Sequence, residues 1–180
     1  MHIACVTRRA VKSDAAVACE VVRRSVVELC VADHRGYSNT LAAWLANKTT
    51  AHFEDWIASD RHVALAAERE GAVVGFGLMS LSGVIELLYV SPDARFSGVS
   101  KALLSALEAE AAGAGIQETQ LESTVTALRF YTSAGYSRAG DATRGLCATR
   151  CYPLSRHIGR SEAHCAVEQR LSTGRPQHGC

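Results

Sequence analysis

Two neighbouring segments carry the residue types that could do chemistry: the strand-like run Val84-Ile85-Glu86-Leu87-Leu88-Tyr89-Val90 and, just after it, Arg95-Phe96-Ser97-Gly98-Val99-Ser100. The second lies between an apolar run and an amphipathic one. A loop so placed can aim successive backbone N–H groups at a phosphate held on a helix N-terminus, and Gly98 permits close approach. It is not a Walker loop, because no Gly-Lys-Ser/Thr follows and Lys101 stands at the wrong place. The run 84–90 is apolar on both faces except at Glu86, the pattern of a central strand covered on both sides. One carboxylate is therefore expected in dry surroundings, where burial raises a carboxyl pKa unless an arginine such as Arg129 or Arg95 pairs with it. Gly75-Phe76-Gly77 looks like the start of a dinucleotide fingerprint, but a strand rather than a helix follows it.

The elements that must position these residues follow from periodicity. The chain has 180 residues, 48% of them hydrophobic and 21% charged, enough for one core with no staple. A formal charge of +1 gives no basic excess to hold nucleic acid or an anionic membrane. No apolar run approaches the roughly 20 residues of a membrane span, and no signal-like segment follows the first residues, so a cytoplasmic protein is expected. His2 to Arg9 reads as a first strand, Ala15 to Ala32 as an amphipathic helix capped by Ser13 or Asp14, and Asp33 to Asn39 as a loop before helical pieces ending at Ala58. His62 to Glu68, Ala72 to Leu81 and Val84 to Val90 read as an antiparallel meander. Val99 to Ala112 is a helix, Glu118 to Glu122 a strand, Val125 to Ala134 a helix stopped by Gly135, and Gly145 to Leu154 a last strand. A strand, helix, strand connection of this length makes a right-handed crossover, so strands 84–90 and 118–122 should be parallel, with the site at their carboxyl ends. The fold class is α/β with a mixed, α+β-like sheet. Residues 1–154 form the domain, and 155–180 read as a polar, loosely held tail.

Seven cysteines, an odd number without a C-x-x-C, read as reduced thiols. Cys147, Cys151, His157, His164 and Cys165 fit no zinc spacing, so no metal is expected, and Cys147 and Cys151, four apart on a strand, share a packing face.

Leu88-Tyr89-Val90-Ser91-Pro92, then Arg95-x-x-Gly98-x-Ser100 with Lys101-Ala102-Leu103-Leu104, then Leu121-Glu122-Ser123-Thr124, and Ala127-x-x-Phe130-Tyr131-x-x-x-Gly135-Tyr136 together resemble the GNAT (Gcn5-related) N-acetyltransferase family. The likeness spans roughly residues 3 to 154, with the elements in the same order. It departs at Ser100, where Gly or Ala is usual, and at Phe96, where Gly is frequent. The resemblance implies a GNAT-like fold with acetyl-CoA bound where two strands splay. Backbone groups of Leu88, Tyr89 and Val90 would hold the pantetheine arm and polarise the acetyl carbonyl, while Arg95, Phe96, Ser97, Gly98, Val99, Ser100 and Lys101 would cradle the pyrophosphate. Thr124, Ala127 and Phe130 would add cofactor contacts. Tyr131 matches the family tyrosine that protonates the leaving thiolate, the alternative being a core aromatic. Glu86 stands where several members activate the amine.

The function so implied is transfer of an acetyl group from acetyl-CoA to a primary amine by direct attack in a ternary complex. A small-molecule amine is favoured over a protein N-terminus or lysine. The alternative from another class is a non-catalytic acyl-CoA-binding module or partner subunit. A ping-pong route through Cys147 or Cys151 is disfavoured for want of an activating partner. His34 is a candidate lining residue of the acceptor cleft. Members of the family often pair through C-terminal strands, and Gly145 to Leu154, with Cys147, Cys151 and Tyr152, is the segment that would make a homodimer here.

Overall fold

The three apolar runs in the middle of the chain form an antiparallel meander of β2 (His62–Arg69), β3 (Ala72–Ser80) and β4 (Val84–Val90). The computed structural model describes residues 5–145 and 149–159. β1 (Val6–Arg9) adds antiparallel to β2 at one edge. On the other side β4 pairs in parallel with β5 (Glu118–Ser123), reached through α5 (Val99–Gly113), as the crossover rule requires. β8 (Arg150–His157) lies antiparallel to β5, and two-residue strands β6 (Ser137–Arg138) and β7 (Thr143–Arg144) pair with β8. The sheet order is β1-β2-β3-β4-β5-β8-β6.

Helices cover both faces. α1 (Ala15–Leu29) and α4 (Thr50–Ala58) bury Val22 and Phe53 against Phe76, Leu78 and Leu87 on one face. α5 buries Leu103, Leu107 and Val99 against Val63, Leu65, Met79 and Ile85 on the other, beside α6 (Val125–Ser133). Burying side chains of this size contributes roughly 1.5–3 kcal/mol each before the entropy of ordering them is counted. The Gly75-Phe76-Gly77 motif finds its reason here. A Cβ on Gly75 would stand 2.9 Å from Leu103 and one on Gly77 3.1 Å from Leu107, so these glycines let α5 lie close on the sheet while Phe76 fills the opposite face.

Three expectations change. The helix predicted over residues 15–32 ends at Leu29, and a single turn, α2 (Val31–His34), occupies part of the expected loop before α3 (Ser38–Leu45). The last strand starts at Arg150 rather than Gly145 and runs to His157, three residues beyond the predicted domain end at Leu154. Ser155, Arg156 and His157 pair with Gln120, Thr119 and Glu118, and the Arg156 guanidinium meets Glu108 at 2.9 Å, so sheet pairing and a half-buried ion pair hold the start of the predicted tail. Cys147, His164 and Cys165 lie outside the described residues.

Glu86 is the third change. β3 and β4 slip register between Leu78 and Met79: Leu78 faces Leu87, Met79 faces Ile85, and Glu86 is the extra residue of a bulge. Strict alternation would put Ile85 and Leu87 on one face. The bulge sends Ile85 to the α5 side and Leu87 to the α1 side. Glu86 is consequently exposed instead of dry, with 39% of its side chain open to solvent.

Candidate functional site

β4 and β5 stay paired only at Val84 with Gln120 and Ile85 with Leu121. Beyond that point the strands diverge and open a cleft of about 400 Å³. One edge of β4 is held by β3 through Leu88, Tyr89 and Val90, and the other edge, which β5 has left, faces the cleft. Backbone groups on a parted edge are donors and acceptors waiting for a partner.

The site residues predicted from sequence gather around this space. Glu86, Leu88, Tyr89, Val90, Arg95, Phe96, Gly98, Val99, Ser100, Lys101, Thr124, Ala127, Phe130 and Tyr131 all line it. Ser97 does not. Its hydroxyl donates to the Ala94 carbonyl at 2.6 Å and closes the 3-10 turn Pro92–Ala94 that leads into the loop.

The loop is shaped by two left-handed residues, Phe96 at φ 57 and Gly98 at φ 83. Glycine takes that conformation freely, whereas a phenylalanine there costs about 1–2 kcal/mol, and Phe96 is 95% exposed, with only the Arg95 guanidinium stacked 4.6 Å from its ring. Gly98 is the N-cap of α5, and no side chain caps this helix. The first intrahelical bond of that turn runs from Ala102 to Gly98, which leaves the N–H groups of Val99, Ser100 and Lys101 pointing out of the helix end. Partial positive charge from the helix dipole joins the charges of Arg95 and Lys101 at this end of the cleft.

Tyr131 and Tyr136 show how two nearby tyrosines differ. The Tyr136 hydroxyl accepts from Thr119 Oγ1 at 2.8 Å and donates to Glu108 at 3.1 Å, which fixes it as a structural strut. Tyr131 packs edge-on to both Phe130 and Tyr136 and is 6% exposed, yet its hydroxyl has no hydrogen-bond partner among the described residues and lies on the cleft wall. Burial first, then the neighbouring Tyr89 and Tyr136, pushes its pKa well above the usual phenol value, so it carries its proton throughout the neutral range.

Glu86 pairs with neither Arg95 nor Arg129. Its partner is His62, whose Nε2 stands 3.6 Å from Oε1. Ser59 Oγ accepts the Arg61 N–H at 3.1 Å, so its own proton is available to His62 Nδ1, also at 3.1 Å.

His34 does not line the cleft. Its buried ring accepts the Gly36 N–H at Nδ1 (3.1 Å) and donates from Nε2 to the Val27 carbonyl (3.3 Å), closing the end of α2. Thr124 does line the cleft, and its hydroxyl also caps α6 by accepting the Ala127 N–H at 3.2 Å. Sequence reasoning missed Asp33, which bonds to the first turn of α6, and Ser25 and Leu29 of α1 with Cys30 just after it on the cleft wall. Only tertiary contact brings them there. Burial pushes the Cys30 thiol up to about 12, with Asp33 adding to the shift, so it is a protonated wall residue rather than a nucleophile. Among the described residues no group of three or more His, Cys, Asp or Glu could hold a metal ion, and no helix is long and apolar enough to cross a membrane.

Comparison with known proteins meets this geometry. The family model for an acetyltransferase (GNAT) domain matches residues 30–146. An "IAA acetyltransferase" from Azospirillum brasilense is 32% identical over 84 residues, which is 42% of this chain and 55% of that protein; the chain thus spans about half the length of this curated relative. Among solved structures, a GCN5-related N-acetyltransferase from Rhodopseudomonas palustris superposes with a TM-score of 0.76 at 23% identity, covering 87% of this chain and 98% of that one. The PaiA N-acetyltransferase of Thermoplasma acidophilum, solved in complex with coenzyme A, gives 0.72 at 17% identity, covering 86% and 99%. YncA from Salmonella typhimurium, solved with acetyl-CoA, gives 0.64 at 18% identity, covering 88% and 96%. At these identities the solved structures establish a shared fold.

Proposed function

The chain belongs to the GNAT acetyltransferase family, and from that premise we propose that it transfers an acetyl group from acetyl-CoA to a primary amine by direct attack in a ternary complex. The observation that carries this reading is the convergence, on one splayed cleft, of an uncapped helix N-terminus, a parted strand edge and a buried tyrosine with an uncommitted hydroxyl. Each suits one part of the substrate. The N–H groups of Val99, Ser100 and Lys101, with the charges of Arg95 and Lys101, fit a pyrophosphate. The free edge of β4 at Leu88 to Val90 fits the amide-bearing pantetheine arm, and an N–H there would polarise the acetyl carbonyl.

In the reaction the amine nitrogen bonds to the carbonyl carbon and the carbon–sulfur bond breaks. Glu86 takes the proton that the amine must lose, with the His62 ring 3.6 Å from its carboxylate. Tyr131 supplies a proton to the departing thiolate, and the two side chains return to their starting states through solvent. Cys30, being a thiol, gives no covalent acetyl-enzyme. The acceptor in this reading is a small-molecule amine.

Calorimetric titration with acetyl-CoA and CoA, followed by thiol release over a panel of amines that includes a lysine peptide and a free peptide N-terminus, tests the reading. Micromolar binding with release driven by a small amine is the expected result. Binding without turnover would assign the chain instead to an acyl-CoA-binding module, release driven by a peptide would replace the small acceptor, and no binding at all would overturn the proposal.

A further inference from the structure

We propose that Asp33 is a positioning residue for this reaction: it clamps the N-terminus of α6 to α2 and so sets where the Tyr131 hydroxyl stands. The proposal rests on the transfer reading above. Asp33 is buried, and its carboxylate accepts three hydrogen bonds from a segment more than ninety residues away in sequence. Oδ1 accepts the Val125 N–H at 2.7 Å; Oδ2 accepts the Thr126 N–H at 3.3 Å and the Thr126 hydroxyl at 2.5 Å. With Thr124 taking the Ala127 N–H, the first three donors of α6 are all met. A carboxylate at a helix N-terminus also faces the positive end of the dipole.

The other end of the clamp is stiff. α2 is one turn, and the His34 ring fastens it by bonding to both Gly36 and Val27. The placement of α6 is thereby referred back to α1, which lines the cleft at Ser25 and Leu29, with Cys30 at its end. Tyr131 lies six positions along α6 from Val125, and no hydrogen bond of its own fixes the hydroxyl, so the helix it rides on decides its position. Asp33 itself has its oxygens engaged and does not line the cleft, which separates it from Glu86 as a proton acceptor.

The test is a double-mutant cycle on the full chain, read by thiol release from acetyl-CoA with water as the acceptor. Water then bonds to the carbonyl carbon, and acetate and CoA leave. Asp33→Ala should lower kcat by roughly ten- to a hundredfold, the scale of a misplacement near 1 Å, with CoA affinity by calorimetry nearly unchanged. In a Tyr131→Phe background the same change should cost little more. A second readout uses 3-fluorotyrosine at the five tyrosines. The signal absent from Tyr131→Phe should shift in Asp33→Ala and shift less in Asp33→Asn, while that of exposed Tyr37 holds. Independent, multiplying losses in the cycle, or an unmoved Tyr131 signal, would overturn the proposal. If Asp33→Ala does not fold, Asp33→Asn and Thr126→Ala carry the same comparison. Wild-type protein that neither binds CoA nor releases thiol would sink the transfer reading, and the fluorine signal would still decide whether Asp33 places Tyr131.

Discussion

Two helices, α5 and α6, turn their N-termini toward the same cleft, and they differ in what meets them there. The N–H groups of Val125, Thr126 and Ala127 in the first turn of α6 are met by protein groups, Thr124 at its N-cap and Asp33 from α2. The first turn of α5 has no side-chain cap, follows a left-handed glycine, and stands beside Arg95 and Lys101. An orphan set of N–H groups beside like charge is poorly placed for the isolated protein and well placed for an anion. The contrast teaches that helix ends in this molecule are divided by task. In the proposed reaction, one holds the helix that carries Tyr131 and the other receives the cofactor's phosphates.

That division can be broken from either side. The largest expected effect belongs to the held helix: Tyr131→Phe should lower kcat by on the order of 10²–10⁴-fold with CoA affinity preserved, measured by thiol release and calorimetry. Because burial raises the Tyr131 pKa, the phenol stays protonated past its usual value near 10. An alkaline loss of activity from this group should therefore be absent below about pH 10 in a pH-rate profile. The stability linked to it is complete below the unfolded phenol value and is lost as pH rises through the folded one.

Next comes the open helix. At Gly98→Ala the added Cβ meets open space, so only the left-handed φ is at issue. The strain should reshape the loop and weaken acetyl-CoA binding about tenfold or more, with kcat at saturation much less affected. Thr124→Ala removes the internal cap of α6 and should lower stability by about 1 kcal/mol in urea unfolding, with no change in CoA affinity. Smallest is Phe96→Gly. The left-handed strain it relieves and the freedom it gives the unfolded chain nearly cancel, so stability should stay within about 1 kcal/mol and affinity should hold. A large loss of affinity there would mean that the ring itself contacts the substrate.

Much of the fold was legible because its signals are local. Apolar runs bounded by turn residues mark β2 and β3, alternation marks β5, helical spacing marks α1 and α5, and the loop at Arg95 to Ser100 announces itself by its place between strand and helix. Fourteen of the fifteen expected site residues line one cleft because they sit on consecutive elements that the crossover rule brings together. Glu86 was misjudged in its surroundings, since a bulge is a property of two strands and only β3 reveals that β4 carries an extra residue. Ser97 lies off the cleft for a smaller reason: its hydroxyl bonds the Ala94 carbonyl three residues back. Asp33, Cys30 and His62 were not legible as site residues at all.

By itself the sequence determined the order of the main strands and helices, the parallel pairing of β4 with β5, and the loop between strand and helix that can meet a phosphate. These follow from side-chain periodicity, chain connectivity and backbone sterics, which act between near neighbours. The tertiary structure decided which carboxylate is free and which is committed, which tyrosine is a strut and which faces the cleft, and which helix end is closed. Those depend on partners tens of residues away, and a side chain's chemistry is set by what surrounds it.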